Sequence, residues 1–424
     1  MRLNRKIGII GLGTVGEATL SAIKKHHSLV YKKTGLNIEI AKICDVKRRK
    51  RKLSYKYSVP FTSNPYEIIN DSDIDIIVEL VGGIEPARTY ILDAIKKKKD
   101  VVTANKALLA HCGKSIFALA KKLNRNIGFE ASVCGAVPLI RSISEGLVGC
   151  KVRKLYGILN GTTNYILYRM EKDRLDFKEA LKEAQERGLA ERKPDLDIRG
   201  IDALHKLSIL SYLCFGAWPK IDSVYVEGIS NISLLDIIYV RELSYKIKLL
   251  AIAKKENNRL DLRVHPALLP LEHPLSQVNA SFNAVWLDSY PAGELLFYGE
   301  GAGGVPTSSS VVSDIVNISF AKPRFIQERS DIKFTKIGNL SNRYYIRFMA
   351  KDRPGVLAKI SKILASFDIS IASVTQKERE KKKFVPIVML THEAKEDSIH
   401  RAISIIDRLS VIKGPSQLIR IEDL

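Results

Sequence analysis

Along the first 130 positions apolar residues come in short continuous runs rather than in strict alternation. Residues 6–10, 38–44, 74–80, 101–103 and 127–130 read as strands, and stretches with one polar face at 16–25 and 87–97 read as helices. Continuous apolar strands alternating with helices predict a parallel sheet covered on both faces. In such sheets ligands bind beyond the carboxyl ends of the strands. Each unusual stretch here lies at such an end: residues 11–16, Asp45, Gly82 and Gly83, Asn105 and Lys106, and the segment from Glu130 onward.

The pattern changes near Pro138. Strands are expected at 153–159, 247–254, 260–268, 282–287 and 294–298, with helices at 162–172, 177–187 and 200–215. This predicts a second α/β domain with an open, mixed sheet. Residues 301–318 begin with glycines and continue as a helix, which is expected to return to the first domain and complete its site. From 344 the order is strand 344–351, a turn at Asp352-Arg353-Pro354-Gly355, an amphipathic helix 356–367, strands 369–376 and 384–391, helix 397–409 and strand 418–422. That is a βαββαβ unit.

Composition narrows the class. The 424 residues allow two or three domains, and 46% hydrophobic with 27% charged is ordinary for a globular chain. The apolar run after the basic residues 1–6 stops at the glycines, too short for a secretory signal core. Nowhere do the about 18 consecutive apolar residues of a membrane span occur. A cytoplasmic location and no membrane partner are therefore expected. Cys44, Cys112, Cys134, Cys150 and Cys214 are scattered without a C-x-x-C pair and read as reduced thiols. The net charge of +22 stands out, but its lysines fall at helix ends and turns, as at 96–99 and 378–383. No basic run is interleaved with aromatics, so a basic surface rather than nucleic-acid binding is the expectation.

Gly11-Leu12-Gly13-Thr14-Val15-Gly16 is a G-x-G-x-x-G motif that follows a strand, opens a helix and starts a βαβ unit. Gly11 permits the tight turn, Gly13 a close approach to a pyrophosphate, and Gly16 the packing of helix on strand, while the helix N-terminus offers N–H groups to phosphates. The N-terminal sheet is thus expected to be a doubly wound, Rossmann-type dinucleotide fold. Asp45, ending the second strand, suits the ribose hydroxyls of NAD. It comes late after the motif, which points to an insertion at 26–35. Lys47, Arg48 and Arg49 follow at once and suit the 2′-phosphate of NADP, or simply form a solvated turn. The choice between NAD and NADP stays open.

The densest polar cluster is Glu191 to Lys206, ERKPDLDIRGIDALHK. Asp202 and Lys206 stand four apart on an expected helix and share a face, with Glu191, Asp195 and Asp197 in the loop before it. Several carboxylates beside a lysine suit an amino-acid ammonium and a proton exchanged with an alcohol. Spacing alone fits a surface ion pair at least as well.

Six stretches lift that ambiguity. GLGTVG (11–16), GGIEPAR (82–88), VVTANKALLA (101–110), GILNGTTNYIL (157–167), DIRGIDALHKL (197–207) and GEGAGGVPTSSSVVSDI (299–315) occur in the order found in homoserine dehydrogenases, which the chain resembles over nearly all of its first 325 residues. The resemblance implies interconversion of L-homoserine and L-aspartate 4-semialdehyde with NAD or NADP, in threonine, methionine and isoleucine biosynthesis. It implies Lys206 as the acid–base that exchanges the proton with the substrate oxygen, and Lys106 as the group that polarises that oxygen beside the nicotinamide. An ammonium is a poor base at neutral pH, so such a site is expected to lower the lysine's pKa.

Glu191, Asp197 and Asp202 match positions that hold the substrate's amino and hydroxyl groups. Gly188 and Gly303 match points where backbone approaches substrate and cofactor. Gly11, Gly13, Thr14, Val15, Gly16, Asp45, Lys47, Arg48 and Asn105, with Lys106, form the implied cofactor set. The segment 130–137 matches a loop that binds a monovalent cation, usually Na+, partly through carbonyls, with Glu130, Val133, Gly135 and Val137 as contributors and a structural role.

Two departures from the family pattern are visible. Cys44 replaces an arginine that helps bind NADP, and Lys193 replaces an acidic residue, where it is expected to point to solvent. The C-terminal unit, with DRPGVLAKI at 352–360, resembles an ACT domain, which implies an L-threonine effector near Gly355 and pairing between subunits as a homodimer or homotetramer. The alternative for this unit is a dimerisation module without a ligand. The expected division is therefore 1–137 with about 301–325 for the dinucleotide, 138–300 for substrate binding and dimerisation, a linker at 326–343, and the ACT-like unit at 344–424. No kinase region is expected ahead of the dinucleotide motif. Two other readings compete: a related amino-acid semialdehyde dehydrogenase, and a catalytically silent dinucleotide and amino-acid sensor, which would require a defective site.

Overall fold

The computed structural model describes residues 3–377 and 384–424. The basic stretch 378–383 lies outside the described residues. The chain divides into two compact units: Met1–Leu155 with Leu204–Ser223 and Phe282–Ile332, and Tyr156–Ala203 with Val224–Ser281 and Lys333–Leu424.

In the first unit a six-stranded sheet runs in the order Phe61–Thr62, Leu36–Cys44, Leu3–Ile10, Ile76–Glu79, Asp100–Thr103, Ile127–Gly128. All neighbours are parallel. The order reverses beside Leu3–Ile10, which opens the crevice where dinucleotides bind in such sheets. Ile7, Ile9, Ile76, Ile77, Val78, Val101 and Val102 are all buried, as double coverage requires. One face packs on the helices Thr14–Thr34 and Gly304–Phe320, whose Leu20, Ile23, Val311 and Ile315 share a core with Ile7 and Ile9. The other face packs on Ala87–Lys96 and Lys106–Leu123 through Ile91, Ile95, Leu108 and Ile116.

The first helix runs past its expected end at 25: residues 26–34, in the stretch read as an insertion, are further turns of Thr14–Thr34, which stops at Gly35 in a left-handed cap with φ 71°. The apolar period fades there because His26, His27 and Leu29 face solvent.

The second unit is built on the antiparallel strands Tyr245–Glu256 and Arg259–Pro270. Its sheet continues through Gln417–Ile421, Ser341–Lys351, Phe384–Thr391 and Ile371–Thr375. The C-terminal βαββαβ order is present, with helices Val356–Ser366 and Glu396–Ile406 over its core of Tyr344, Ile346, Phe348, Ile360 and Ile399. That sheet does not end at the limit of the ACT-like segment. Its last strand pairs in parallel with Arg259–Pro270, Ala267 opposite Arg420 and Leu268 opposite Ile421. The segment expected as a linker also takes part, because Lys333–Phe334 pairs with Arg259 and Leu260. Helix Leu234–Glu242 was not anticipated: LLDIIYV has apolar residues on every side, and only the Ser233–Asp236 capping box marks its start.

Buried charge is concentrated in this second sheet. Glu396, 2% exposed, accepts from the Arg420 Nε at 3.1 Å and the Tyr344 hydroxyl at 2.8 Å, and pairs with His400 at 2.9 Å. Burial alone would raise its pKa, but the hydrogen bonds from His400 and Arg420 outweigh it and hold the carboxyl down to about 2. A depressed carboxyl contributes stability that is present above its unfolded pKa and is lost as pH falls toward the folded one. Glu396→Gln is therefore expected to lower thermal stability at neutral pH by about 3 kcal/mol. The gap between variant and parent should close as pH falls from about 5 toward about 2. Melting curves across that window check the expectation, and a gap independent of pH would contradict it.

Candidate active site

At the head of the parallel sheet the glycine loop is fixed by sterics. Gly11 has φ 98° and lies so close to the strand that follows that a Cβ would fall 2.5 Å from the Leu80 carbonyl. A Cβ on Gly16 would meet the Gly11 oxygen at 2.0 Å, so helix and loop touch through backbone alone. Gly13 has open space around its Cα, and with Thr14 it is exposed. It also begins helix Thr14–Thr34 without any side-chain cap, leaving the first N–H groups for a phosphate.

Asp45 holds this loop in place. One carboxylate oxygen accepts the Leu12 N–H at 2.9 Å and the other the Lys47 N–H at 2.8 Å. It thus joins the glycine loop to the basic turn, where Lys47, Arg48 and Arg49 are exposed. Lys50 is drawn away to Glu17 at 3.1 Å. Cys44, where the family pattern has arginine, is buried, and burial with the Asp45 charge pushes its thiol up to about 12. It is an inert thiol under physiological conditions.

Glu79 is a buried carboxylate that sequence reasoning missed. It is fully buried at the end of Ile76–Glu79. Its oxygens accept the Val81 N–H and the Thr103 hydroxyl, both at 2.7 Å. Thr103 in turn accepts the Asn105 N–H at 3.0 Å, and the Asn105 amide donates to the Gly83 carbonyl at 2.6 Å. Burial raises the Glu79 pKa against these hydrogen bonds. One carboxylate thereby organises both loops that flank the crevice and sets Lys106 at the first position of helix Lys106–Leu123, which Asn105 caps through Leu108 N–H. The signal was an acid inside the apolar run IIVEL.

Lys106 and Lys206 are brought to one end of a helix pair. His111 meets His205 at 5.3 Å between ring centroids, and Phe117 meets Tyr212 at 5.2 Å. Both contacts advance in the same direction, so helix Lys106–Leu123 runs parallel to the portion of helix Ile201–Phe215 in this unit. Lys206, beside His205, is 6% exposed. Gly303, with φ 109°, precedes helix Gly304–Phe320, and a Cβ on Gly304 would lie 2.9 Å from the Thr14 oxygen. The glycines at 303 and 304 therefore border the 11–16 loop.

In the second unit Asn160 gathers the carboxylates. Its amide nitrogen donates to Asp197 at 2.7 Å and to Asp202 at 2.9 Å. Its oxygen accepts the Thr163 N–H at 2.8 Å and so caps helix Gly161–Asp173. With both ends used, Asn160 cannot rotate, and it fixes the two carboxylates side by side. Sequence reasoning missed Asn160; an asparagine before the GTT start of a helix was the available signal. Glu191 is exposed, its carbonyl held by Gln185 at 3.1 Å, and Lys193 faces solvent as expected. Gly188, φ 70°, closes the turn before this loop, which Thr162 ties down through the Leu189 carbonyl at 2.7 Å. Asp202 stands one turn before Lys206 on helix Ile201–Phe215.

The 130–137 segment folds on itself in the first unit. The Glu130 carboxylate accepts the Ile140 and Arg141 N–H groups at 2.7 and 2.9 Å, and its own N–H donates to buried Asp314 at 2.8 Å. Burial and the Glu130 charge raise the Asp314 pKa far above the carboxylate range. Cys134 and Gly135 are both left-handed, and the Gly135 carbonyl accepts the Ser310 hydroxyl at 2.6 Å. With the Glu130 side chain committed to N–H groups, carbonyl oxygens are the donors this loop offers to a hard cation.

Comparison with known proteins places this geometry in context. Residues 11–130 match the family model "Homoserine dehydrogenase, NAD binding domain", 138–316 the model "Homoserine dehydrogenase", and 344–411 the ACT domain. A homoserine dehydrogenase of Pseudomonas aeruginosa is 39% identical, covering 99% of both chains, and one of Helicobacter pylori is 39% identical over 100% of both. A crystal structure of a homoserine dehydrogenase from Thiobacillus denitrificans superposes with a TM-score of 0.93 at 39% identity, covering 99% of this chain and 98% of that one. A hyperthermophilic archaeal homoserine dehydrogenase in complex with NADPH gives a TM-score of 0.65 at 26% identity, covering 76% of this chain and 100% of that one.

The two glycine environments separate cofactor binding from folding. Gly13→Val is expected to leave the melting temperature within about 2 °C while weakening NADPH binding at least about tenfold, because the side chain enters open space that a pyrophosphate needs. Gly16→Ala is expected to lower the melting temperature, because its methyl meets backbone. Thermal melts and a fluorescence titration with NADPH read both, and tight NADPH binding by Gly13→Val would remove the glycine loop from the site.

Proposed function

The chain belongs to the homoserine dehydrogenase family, an NAD(P)-dependent oxidoreductase acting on a CH–OH group, and from that premise we propose how its residues divide the reaction. The reaction is the interconversion of L-homoserine and L-aspartate 4-semialdehyde, a step toward threonine, methionine and isoleucine. The observation that carries the proposal is the pair Asp197 and Asp202 on a single Asn160 amide nitrogen, which fixes two carboxylates side by side. The α-ammonium of homoserine binds to them, with exposed Glu191 completing its shell and the backbone at Gly188 lying close.

The bound nicotinamide supplies the two-electron acceptor or donor at the substrate's C4. Gly11, Gly13, Thr14, Val15 and Gly16 hold the pyrophosphate, and Asp45 holds the adenosine ribose while it pins the loop. Asn105, Gly303 and Lys106 border the nicotinamide end. In the oxidising direction the Lys206 amine takes the hydroxyl proton as the C4–O bond gains double-bond character; in the reducing direction its ammonium returns that proton to the oxygen. Lys106 donates a hydrogen bond to the same oxygen and favours the form with more negative charge on it. Carbonyls of Glu130, Val133, Gly135 and Val137 hold a monovalent cation, which steadies the loop without entering the chemistry.

Exposed Lys47 and Arg48 bind the 2′-phosphate of NADP, with Cys44 contributing no charge. The ACT segment binds L-threonine at the Gly355 turn, where helix Val356–Ser366 starts without a side-chain cap, and so regulates the enzyme. The chain acts as a homodimer or homotetramer in the cytoplasm.

Homoserine-dependent appearance of reduced-nicotinamide absorbance, followed with NAD and NADP in parallel and with L-threonine added, tests this reading. Lys206→Ala is expected to reduce kcat about a hundredfold or more while cofactor affinity changes little, and full turnover would remove its acid–base role. Asp202→Asn is expected to raise the homoserine KM about tenfold, by loss of one charge on the ammonium. Lys47→Ala with Arg48→Ala is expected to raise the KM for NADP about tenfold with little change for NAD.

A further inference from the structure

We propose that Arg420 is a positioning residue of this dehydrogenase: it fastens the ACT helix Glu396–Ile406 to Glu227, and through residues 225–229 to the turn that holds Asp197 and Asp202 in place. The inference rests on the assignment of those two carboxylates to substrate binding. All the groups involved lie in the second unit.

Arg420 is 1% exposed on the last strand. A guanidinium removed from water needs its charge met and its N–H groups filled. Its Nε donates to both Glu396 oxygens at 3.1 Å. On the opposite side Nη1 donates to Glu227 at 2.9 Å and Nη2 to the Tyr225 hydroxyl at 2.9 Å, with the Tyr225 ring 4.7 Å from the guanidinium carbon. The Tyr225 hydroxyl donates to Glu227 at 2.8 Å, which closes a triangle. One planar group therefore spans two carboxylates from segments far apart in the chain, the bidentate task that arginine performs and lysine does not.

From Glu227 the contact continues through backbone. Tyr225–Val226 pairs in parallel with Arg263 and Val264, and the Glu227 N–H donates to the Val264 carbonyl at 2.8 Å. The next residue, Gly228, presses on the substrate turn, since a Cβ there would fall 2.2 Å from the Ile198 oxygen and 2.7 Å from the Arg199 Cα. The Ile229 N–H then donates to the Ile198 carbonyl at 2.9 Å. Ile198 adjoins Asp197, and Gly200, two residues before Asp202, is wedged against Val226 and Val264. An uninterrupted series of bonds and tight contacts thus runs from Glu396 to Asp197. A shift of the ACT helix reaches the ammonium-binding acids along it.

Strand pairing between Ala267 and Arg420 would be satisfied by any residue, and an apolar side chain at 420 would fill the interior at lower electrostatic cost. What the arginine adds is a fixed position for Glu227.

The test compares Arg420→Lys and Glu227→Gln with Arg347→Lys, which weakens a different buried pair (Arg347 to Asp236, 2.6 Å). The first two are expected to raise the homoserine KM about five- to tenfold, with kcat and the dinucleotide KM within about twofold, and their double variant is expected to be no worse than either. Amide hydrogen exchange over residues 195–201 should quicken in both and stay unchanged in Arg347→Lys. An unaltered homoserine KM with a lowered melting temperature would reduce Arg420 to a structural residue and overturn the proposal. If the parent protein fails to oxidise homoserine, the function assigned above falls, and the exchange rates at 195–201 still decide whether Arg420 orders that turn. Should Arg420→Lys not fold, Glu227→Gln, at the partly exposed end of the series, carries the comparison alone.

Discussion

A charge taken out of water is stable only where fixed partners replace its hydration, and that requirement shapes the chemistry-bearing loops of this protein. Glu79, at the end of a buried strand, needs donors and finds them in Val81 and Thr103, which fixes the loops carrying Gly83, Asn105 and Lys106. Glu130 is met by the N–H groups of Ile140 and Arg141, which anchors the start of the 130–137 loop. Asp197 and Asp202 are held in the same manner, side by side on the amide nitrogen of Asn160.

The same principle separates what the sequence disclosed from what it hid. Continuous apolar strands, glycines at the head of a helix and a βαββαβ rhythm are local patterns, and each produced the expected element. The roles of Glu79, Asn160 and Arg420 are set by partners distant in the chain: Arg420 faces Glu227, and Asn160 faces Asp197 and Asp202. No periodicity encodes such a meeting. Local spacing of Asp202 and Lys206 favoured a surface ion pair, and only the whole set of matching stretches implied a function for them. Where the period itself weakens the reading fails differently: residues 26–34 remain helical because solvent tolerates a polar face, and Leu234–Glu242 carries apolar residues on its partly exposed side as well as its buried one.

The junction between strand Arg259–Pro270 and the ACT segment was equally invisible, because strand register over a long separation leaves no trace in sequence. Its form has consequences. A regulatory domain attached by a flexible linker influences its neighbour only when a ligand creates new contacts. Here Gln417–Ile421 is hydrogen-bonded to Arg259–Pro270 through the backbone, and Glu422 beyond it is paired with Arg263 and Lys254 at 2.7 Å each. The ACT core and the strands Tyr245–Glu256 and Arg259–Pro270 therefore share one hydrogen-bonded sheet, and a ligand that preferred one arrangement of the ACT helices would bias the other by its difference in affinity.

Such coupling needs an element that transmits displacement without absorbing it. Apolar contacts slide at little cost, since dispersion is nearly indifferent to small lateral shifts. A buried guanidinium gripping two carboxylates does not slide, because lengthening any of its bonds leaves charge unmet in a medium that screens it poorly. The stiffness resides in Arg420 and continues in backbone contacts at Gly228 and Ile229 that leave no space for side-chain rearrangement. At the far end lie Asp197 and Asp202, so the rigidity that begins at a buried guanidinium ends at two carboxylates held on one amide.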